Sequence, residues 1–441
     1  MKKNRYIQIL SLLMAVILMT ACKSGDGFGP GSDDEQDCYL TIYVYTQGNP
    51  IPTRADEHYQ TATAEEQAIH TVQLWVFKHT DDASDGELVG YMEDGMDGNG
   101  VDLSAGKTYR VVVRREFADS PTDVDVYAVA NVAQDNAGHT FSRQTTRAQL
   151  DAATLSGNYF FGASDKLVHS VPATGLPMTG VLKEQKVVGT FPALRVVDKN
   201  DATEKMVNVN LVRTMSRLRF VICRSDGNSP YEQLNEITGI TLNGNMIPRQ
   251  TYLMLTEPYD DAIAPADPLA ANRIRIEPGD YESTAINFGS VKAVDTDGTT
   301  VIIPVRADDP NTTYKESVRD WLYDALEEDG ITRRYTTMSD YIDAINTGIT
   351  NGELLQYGLT YLRESDKKLS GTVTYTTMDY PNDPVRSATF EMADEGDFAR
   401  NHVWTVMLLF EGGKLRTINV VDIGVRAWET KWESDHSVYN W

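Results

Sequence analysis

The chain has 441 residues, with 64 acidic side chains against 40 basic ones and a formal net charge of −24. That length exceeds one compact domain of typical size and suggests two. A surface this acidic repels phosphate backbones and anionic membranes, which sets nucleic acid aside as a partner.

Lys2, Lys3 and Arg5 open the chain, and Ile7 to Met19 is nearly unbroken apolar sequence. The run falls short of the ~20 residues of an ordinary membrane span, so 1–21 reads as a secretory signal peptide. Its end, Leu18-Met19-Thr20-Ala21-Cys22, places a small residue before a cysteine and is similar to a bacterial lipoprotein signal, in which the cysteine thiol is lipidated. Met19 stands where leucine is commonest in such signals. A plain secretory signal with an incidental cysteine is the alternative. The following KSGDGFGPGSDDEQD is rich in Gly and Asp and reads as a solvated tether.

Residues 39 to 45 then alternate. Leu40, Ile42 and Val44 fall on one face and Tyr39, Thr41, Tyr43 and Tyr45 on the other, a pattern suited to a slot in a sandwich. Gly48, Pro50 and Pro52 end the strand and hold Thr53-Arg54-Ala55 extended, the conformation a protease subsite requires. Cutting after Arg54 would remove 22–54 with its strand and its lipid, and would leave a groove with two unpaired edges. Five basic residues up to Arg54 balance five acidic ones, so the excess negative charge stays with the remainder.

Period two continues along the chain at 71–79, 107–116, 124–132, 206–213, 217–224, 239–245, 368–378, 402–412 and 415–428. Short strands separated by Gly, Asn, Asp or Pro turns, without regular intervening helices, predict an all-β protein of tandem antiparallel β-sandwich domains. A few short helices are predicted between strands, at 145–155, at 314–328 with Val318, Leu322, Ala325 and Leu326 on one face, and at 339–349 capped by Ser339. The boundary falls near residue 212, giving 55–211 and 212–441. The alternative is a hairpin turned at Thr214-Met215-Ser216.

Chemistry is sparse. The sequence holds no HExxH, GxSxG, P-loop or CxxC, and its seven histidines form no i, i+4 pair. No catalytic residue, cofactor or metal is therefore assigned. Asp94, Asp97, Asn99 and Asp102 form the best candidate calcium loop, but position twelve counted from Asp97 is Thr108 instead of an acid, which favours a solvated turn. Asp81-Asp82 and Asp260-Asp261 are carboxylate pairs of the sort a glycosidase uses, and such pairs are expected by chance in so acidic a chain. The 22 tyrosines and the C-terminal tryptophans offer either a glycan platform or cross-strand packing. Cys38 and Cys223 are too few for a disulfide scaffold, and whether they pair stays open.

The C-terminus ends in aromatics. Ile423, Val425 and Ala427 alternate, and Trp428, Trp432, Val438, Tyr439 and Trp441 follow with no polar tail. An unpaired sheet edge accepts a strand from another chain, so this segment is a candidate donor strand, with Val425, Ala427, Trp428, Trp432, Val438 and Trp441 as its contact residues. Folding back as the last strand of its own domain is the alternative. Because the donating and accepting surfaces differ, repeated exchange builds an open filament.

Several short motifs stand in one order along nearly the whole chain: the segment ending at Cys22; Pro52-Thr53-Arg54-Ala55; Glu66-Gln67-Ala68-Ile69 before Leu74-Trp75-Val76-Phe77; Tyr127-Ala128-Val129-Ala130-Asn131; Leu176-Pro177-Met178-Thr179-Gly180; Leu211-Val212-Arg213 with Ser216-Arg217-Leu218; Arg400-Asn401; and Val425-Arg426-Ala427-Trp428. In this order the chain resembles the fimbrillins of the Bacteroidales, the type V pilins. The resemblance implies a lipidated outer-membrane precursor with two tandem transthyretin-like sandwich domains, trimmed by an Arg-specific surface protease. It further implies polymerisation with other fimbrial subunits by strand exchange, in support of adhesion and biofilm formation. Carried onto this sequence, Cys22 is the lipid site, Arg54 and Ala55 flank the processed bond, and Leu40, Ile42 and Val44 belong to the removable strand. Two features depart from a plain stalk subunit. Asp37-Cys38 resembles anchor subunits that keep their lipid, and the long stretch from Pro265 to Gly352 suits an accessory or tip subunit. The competing expectation is a non-polymerising surface lipoprotein that anchors a pilus or binds glycans.

Overall fold

A computed structural model describes residues 38–45, 59–61, 64–81, 86–103, 106–132, 140–156, 171, 174–200, 203–259, 272–277, 279–306, 318–327, 329, 331–378 and 385–426. It is mostly β, with four α-helices among the described residues.

The first sheet contains β1 (Cys38–Tyr45), β3 (Val72–Lys78), β4 (Leu88–Asp94), β5 (Lys107–Val113), β6 (Val124–Ala130), β8 (Met178–Thr190), β9 (Ala193–Val197), β10 (Asn208–Asn210) and β11 (Val212–Arg213). The pairing runs β1-β5-β4-β3-β6-β8-β9 and returns to β1, a closed circuit. Closure depends on a bend in β8, whose first half pairs with β6 and whose second half pairs with β9. At the bend Glu184 takes φ 53°, and the register on β6 slips between Val124 and Val126. The buried Asp125 carboxylate stabilises this bulge by accepting the Glu184 N–H at 2.8 Å. Inside the circuit Leu40, Ile42, Val44, Val72, Leu74, Val111, Val126, Val196 and Val209 form one core. Closure also hides edges that would otherwise template pairing with other chains.

The outer face of this sheet is covered too. Trp75, Phe77, Tyr127 and Val129 pack under α3 (Arg147–Ala152) and under Leu253, Met254, Leu255 and Tyr259, which come from the second half of the sequence. The helix starts at Thr146, whose capping box with Gln149 satisfies the first free N–H groups. A two-stranded ribbon, β7 (Thr154–Ser156) with β14 (Gln250–Tyr252), holds the covering segment in place.

At Thr214 the chain passes from β11 in the first sheet to β12 (Met215–Ser225) in the second, so the hairpin at 214–216 does not form. The second sheet runs β17 (Leu355–Arg363), β12, β20 (His402–Glu411), β21 (Lys414–Arg426), β2 (Tyr59–Thr61). The third contains β13 (Leu234–Leu242), β15 (Ile286–Asn287), β16 (Val291–Lys292), β18 (Leu369–Thr377) and β19 (Arg386–Ala393). Phe220, Ile222, Leu234, Ile240, Val373, Phe390, Trp404, Val406, Leu408 and Phe410 make the core shared by these two sheets. The expectation of purely antiparallel sheets is corrected here, because β12 and β20 pair in parallel, as β1 does with β9 and β10. These partners are distant in sequence, and long crossovers permit parallel pairing.

Two helix expectations change. Of 314–328, the described residues hold only a 3₁₀ turn, Val318–Trp321, and then a bridge from Leu326 to Arg333. Val318 and Trp321 turn inward onto Val221, Cys223, Met407 and Leu409 on the back of the second sheet, while Leu326 and Ile331 stay exposed. Docking against the sheet has overridden helical periodicity. The helix expected over 339–349 is present as α4 (Met338–Thr350), but its cap is Thr337, which forms a capping box with Asp340, and not Ser339. Two short helices remain, α1 (Ala64–Gln67) and α2 (Arg115–Asp119).

Candidate functional site: a strand slot and the joint beside it

β1 is an interior strand. On one side its Cα partners run antiparallel along β5 from Cys38↔Val113 to Val44↔Lys107. On the other they run parallel, Tyr39↔Ala193 to Thr41↔Arg195 on β9 and Tyr43↔Asn208 to Tyr45↔Asn210 on β10. Leu40, Ile42 and Val44 have 0% exposure and Cys38 2%. Burying three such aliphatic side chains is worth on the order of 5–9 kcal/mol. Their outward neighbours Tyr39, Thr41 and Tyr43 are half-buried. Tyr43 lies over Gly106, which sits at φ 71°; a Cβ there would overlap the tyrosine hydroxyl. The Tyr39 N–H donates to the Pro192 carbonyl at 2.9 Å, fixing the start of the strand.

Cys22, Arg54 and Ala55 fall outside the described residues, as do Ala427, Trp428, Trp432, Val438 and Trp441. Val425 lies in β21, paired with Gln60 of β2. Its strand runs antiparallel to β20 from Glu411↔Lys414 to His402↔Gly424, so up to Arg426 the C-terminal segment is folded into its own sheet. The chain leaves the first sheet at Tyr45 and enters the second at Tyr59, so residues 46–58, which contain Arg54, connect the two.

Beyond that connection lies a buried polar joint. Arg217 Nη1 reaches Glu66 Oε1 at 2.8 Å, and the Tyr361 hydroxyl donates to the same oxygen at 2.6 Å. Arg213 donates through Nε to the Glu66 carbonyl and through Nη1 to Asn401 Oδ1, each at 3.2 Å. Asn131 ties in the preceding turn, giving Nδ2 to the carbonyls of Ala68 and Leu176 and accepting the His70 N–H. The Thr214 N–H donates to the Pro177 carbonyl at 3.1 Å and the Asn401 N–H to the Met215 carbonyl at 3.0 Å. Arg400, fully buried, forms two hydrogen bonds to Glu364 and donates to the carbonyls of Tyr252 and Leu253. Burial, reinforced by the Glu66 carboxylate, pushes the Tyr361 phenol far up. Burial pulls Arg213 down against the opposing pull of Glu66, and burial beside Arg217 pushes Arg219 down to about 9.

The sequence motifs contained Glu66, Asn131, Arg213, Arg217, Arg400 and Asn401 but gave them no role; the fold gathers them. The available signal was an arginine at alternate positions of an apolar strand, Arg217 and Arg219 around Leu218, Phe220 and Ile222. A charge so placed must meet a buried partner.

No family model matches the chain, and no curated protein does. Among solved structures the chain is similar to fimbrial and cell adhesion proteins. A candidate cell adhesion protein of Parabacteroides distasonis is 12% identical, with a TM-score of 0.49 over 90% of this chain and 99% of its own. A fimbrilin of Porphyromonas gingivalis is 11% identical, with a TM-score of 0.42 over 89% and 98%. The C-terminally truncated tip fimbrial protein Mfa3 of Porphyromonas gingivalis is 14% identical, with a TM-score of 0.40 over 88% and 100%.

The remaining sequence candidates resolve into turns and cores. Asp94 accepts from Lys107 Nζ at 2.6 Å and from the Tyr109 hydroxyl at 3.1 Å, while Asp97 accepts from the N–H and side chain of Asn99. They are local turn and ion-pair contacts. Asp81 is exposed, and Asp82, Asp260 and Asp261 lie outside the described residues. Trp75, Trp321 and Trp404 are buried in three different cores. Cys38 and Cys223 are unpaired and buried. A cavity of about 300 Å³ lies between β8, β10 and the Leu255–Tyr259 segment, with Asn208, Asn210 and Glu257 on its wall.

Proposed function

We propose that this chain is a structural subunit of a cell-surface fimbria. It is exported as an outer-membrane lipoprotein precursor through Cys22, trimmed after Arg54 by an Arg-specific surface protease, and polymerised with other fimbrial subunits by β-strand exchange. The fibre supports adhesion and biofilm formation. The reading takes 55–211 and 212–441 as tandem transthyretin-like sandwich domains and assigns the chain no catalysis of its own.

One observation carries it. β1 is both the strand that closes the first circuit and the only part of that circuit on the N-terminal side of Arg54. Its removal uncovers the facing edges of β5 on one side and β9 with β10 on the other, together with a lining that had held Leu40, Ile42 and Val44. Such a slot is satisfied by an incoming strand that restores main-chain bonds on both sides and apolar side chains at alternate positions. The C-terminal segment that continues from Val425 in β21, with Ala427, Trp428, Trp432, Val438 and Trp441, is the assigned donor. Donor and slot are different segments of the chain, so each subunit offers one of each and the assembly grows as an open filament.

The test is N-terminal sequencing and intact mass of the protein taken from its native surface, with and without an inhibitor of Arg-specific proteases. A chain starting at Ala55 in detergent-resistant multimers is the expected result. A lipidated monomer starting at Cys22 in both samples overturns it in favour of an uncut anchor or glycan-binding lipoprotein.

A further inference from the structure

The segment directly after the processing site is held at two separate places. Its first strand, β2, lies parallel to the end of β21, with Tyr59↔Gly424, Gln60↔Val425 and Thr61↔Arg426 as partners. On its other side β21 is paired with β20 as far as His402↔Gly424. Gly424 is therefore paired on both sides. A few residues after β2, Glu66 in α1 is locked by Arg217, Tyr361 and Arg213, and the Ile69 carbonyl accepts the Val101 N–H at 2.8 Å.

We infer that Tyr59–Thr61, backed by the locked Glu66, is a latch that stays with the processed chain and clamps the root of its C-terminal strand, so that what a second copy of this chain receives starts at Ala427. The inference rests on the strand-exchange reading and adds to it a boundary. Removing residues up to Arg54 takes away β1 but neither β2 nor Glu66, so emptying the slot leaves both anchors in place. Length is compatible with this boundary. The slot is the eight residues of β1. Residues 427–441 of the 441-residue chain, at about 3.3 Å each, reach roughly 50 Å, against roughly 26 Å for such a slot. The excess serves as a spacer between subunits. Sequence pattern agrees in part: Trp428, Thr430, Trp432, Ser434, His436 and Val438 lie on one face of an extended strand, and Glu429, Lys431, Glu433 and Asp435 on the other.

The experiment uses the Cys22→Ser precursor carrying Gln60→Cys with Val425→Cys, oxidised, then cut with an Arg-specific protease and incubated. Detergent-resistant multimers are read on non-reducing gels beside the same precursor without the two added cysteines. The expected result is that the introduced thiols cross-link in the folded precursor and that the locked chain forms multimers to within twofold of the unlocked one. Truncation after Arg426 is expected to abolish them. If the locked chain loses multimers tenfold and reductant restores them, β21 itself must leave its sheet and the latch is overturned. Failure of the thiols to cross-link overturns it as well. If the unlocked chain, shown by mass to begin at Ala55, forms no multimers, the strand-exchange reading itself falls and the latch with it.

Discussion

Arg400 and Glu364 meet with neither side chain exposed, Nε to Oε2 at 2.7 Å and Nη2 to Oε1 at 2.5 Å. The same guanidinium donates to the carbonyls of Tyr252 and Leu253, on the segment that covers the first sheet. One side chain thus joins β20, the end of β17 and the covering segment. Removing only the acid strands a buried charge, so Glu364→Ala is expected to cost about 3–5 kcal/mol. The joint change Arg400→Met with Glu364→Leu should cost less, since no charge is left buried alone: the Leu253 carbonyl still accepts from the Thr179 hydroxyl at 3.0 Å, and only the Tyr252 carbonyl and, as in the single change, the Arg275 N–H lose a partner, at about 1–3 kcal/mol each at most. Urea unfolding midpoints compare the two; equal losses would mean the pair contributes through packing alone.

Ile42 is fully buried only while β1 is part of the chain. Ile42→Ala should therefore destabilise the precursor by about 2–5 kcal/mol. After processing at Arg54 the processed variant and the processed parent are identical in sequence and must unfold alike. Thermal melts before and after cleavage read both states, and a precursor unaffected by the change would argue against β1 as a core strand.

The two buried thiols report on different elements. Burial, with a smaller push from Asp119, raises the Cys38 thiol, and burial raises Cys223 to about 12. At pH 8 that value leaves Cys223 about one thiolate in ten thousand, and Cys38 is buried with its thiol raised, so native labelling by a maleimide is expected to be negligible at both positions in the Cys22→Ser precursor. When β1 leaves its slot Cys38 becomes reactive and Cys223, under Val318 and Trp321, does not. Mass spectrometry of labelled peptides distinguishes them; equal labelling would mean global unfolding rather than strand release.

On the buried tyrosines alkaline pH acts in one direction. Burial raises the phenols of Tyr109, Tyr127 and Tyr361, with nearby Asp94, Asp151 and Glu66 pushing the same way, and Tyr335 rises to about 12. A group whose folded value lies above its unfolded one of about 10 stabilises the fold fully below that pH. Above it the unfolded chain releases protons that the folded chain keeps, and stability falls. The tyrosine contribution to unfolding free energy is expected to be constant between pH 7 and 9 and to drop steeply above pH 10, with phenolate absorbance appearing together with loss of β circular dichroism. Full tyrosine ionisation in a folded protein would contradict the burial of these hydroxyls.

Much of the fold can be read locally. The alternation in 72–78, 107–113, 124–130, 215–225, 369–377 and 402–411 marks strands because side chains of a strand point to opposite faces with period two, and burial enforces that period. Strands β4, β8, β9, β17 and β19 do not stand out in the sequence, since they mix exposed and buried positions over a bend, a bulge or an edge. The helix expected at 314–328 failed because its apolar residues serve a sheet face built by β12 and β20, about which local spacing says nothing.

The candidate site divides the same way. Sequence alone determined that residues 39–45 form a strand with Leu40, Ile42 and Val44 on one face, that a Pro-rich arginine-bearing stretch follows, and that the C-terminus is aromatic. It did so because alternation, proline geometry and composition are properties of neighbouring residues. Only the tertiary structure decided that this strand closes a circuit between β5 and β9 with β10, that Arg217 and Tyr361 converge on Glu66, and that Gly424 is paired on both sides. Those relations join residues separated by tens to hundreds of positions. They exist only once the circuit has closed and water has been excluded, when each buried polar group must take its partner from whatever strand the topology brings beside it.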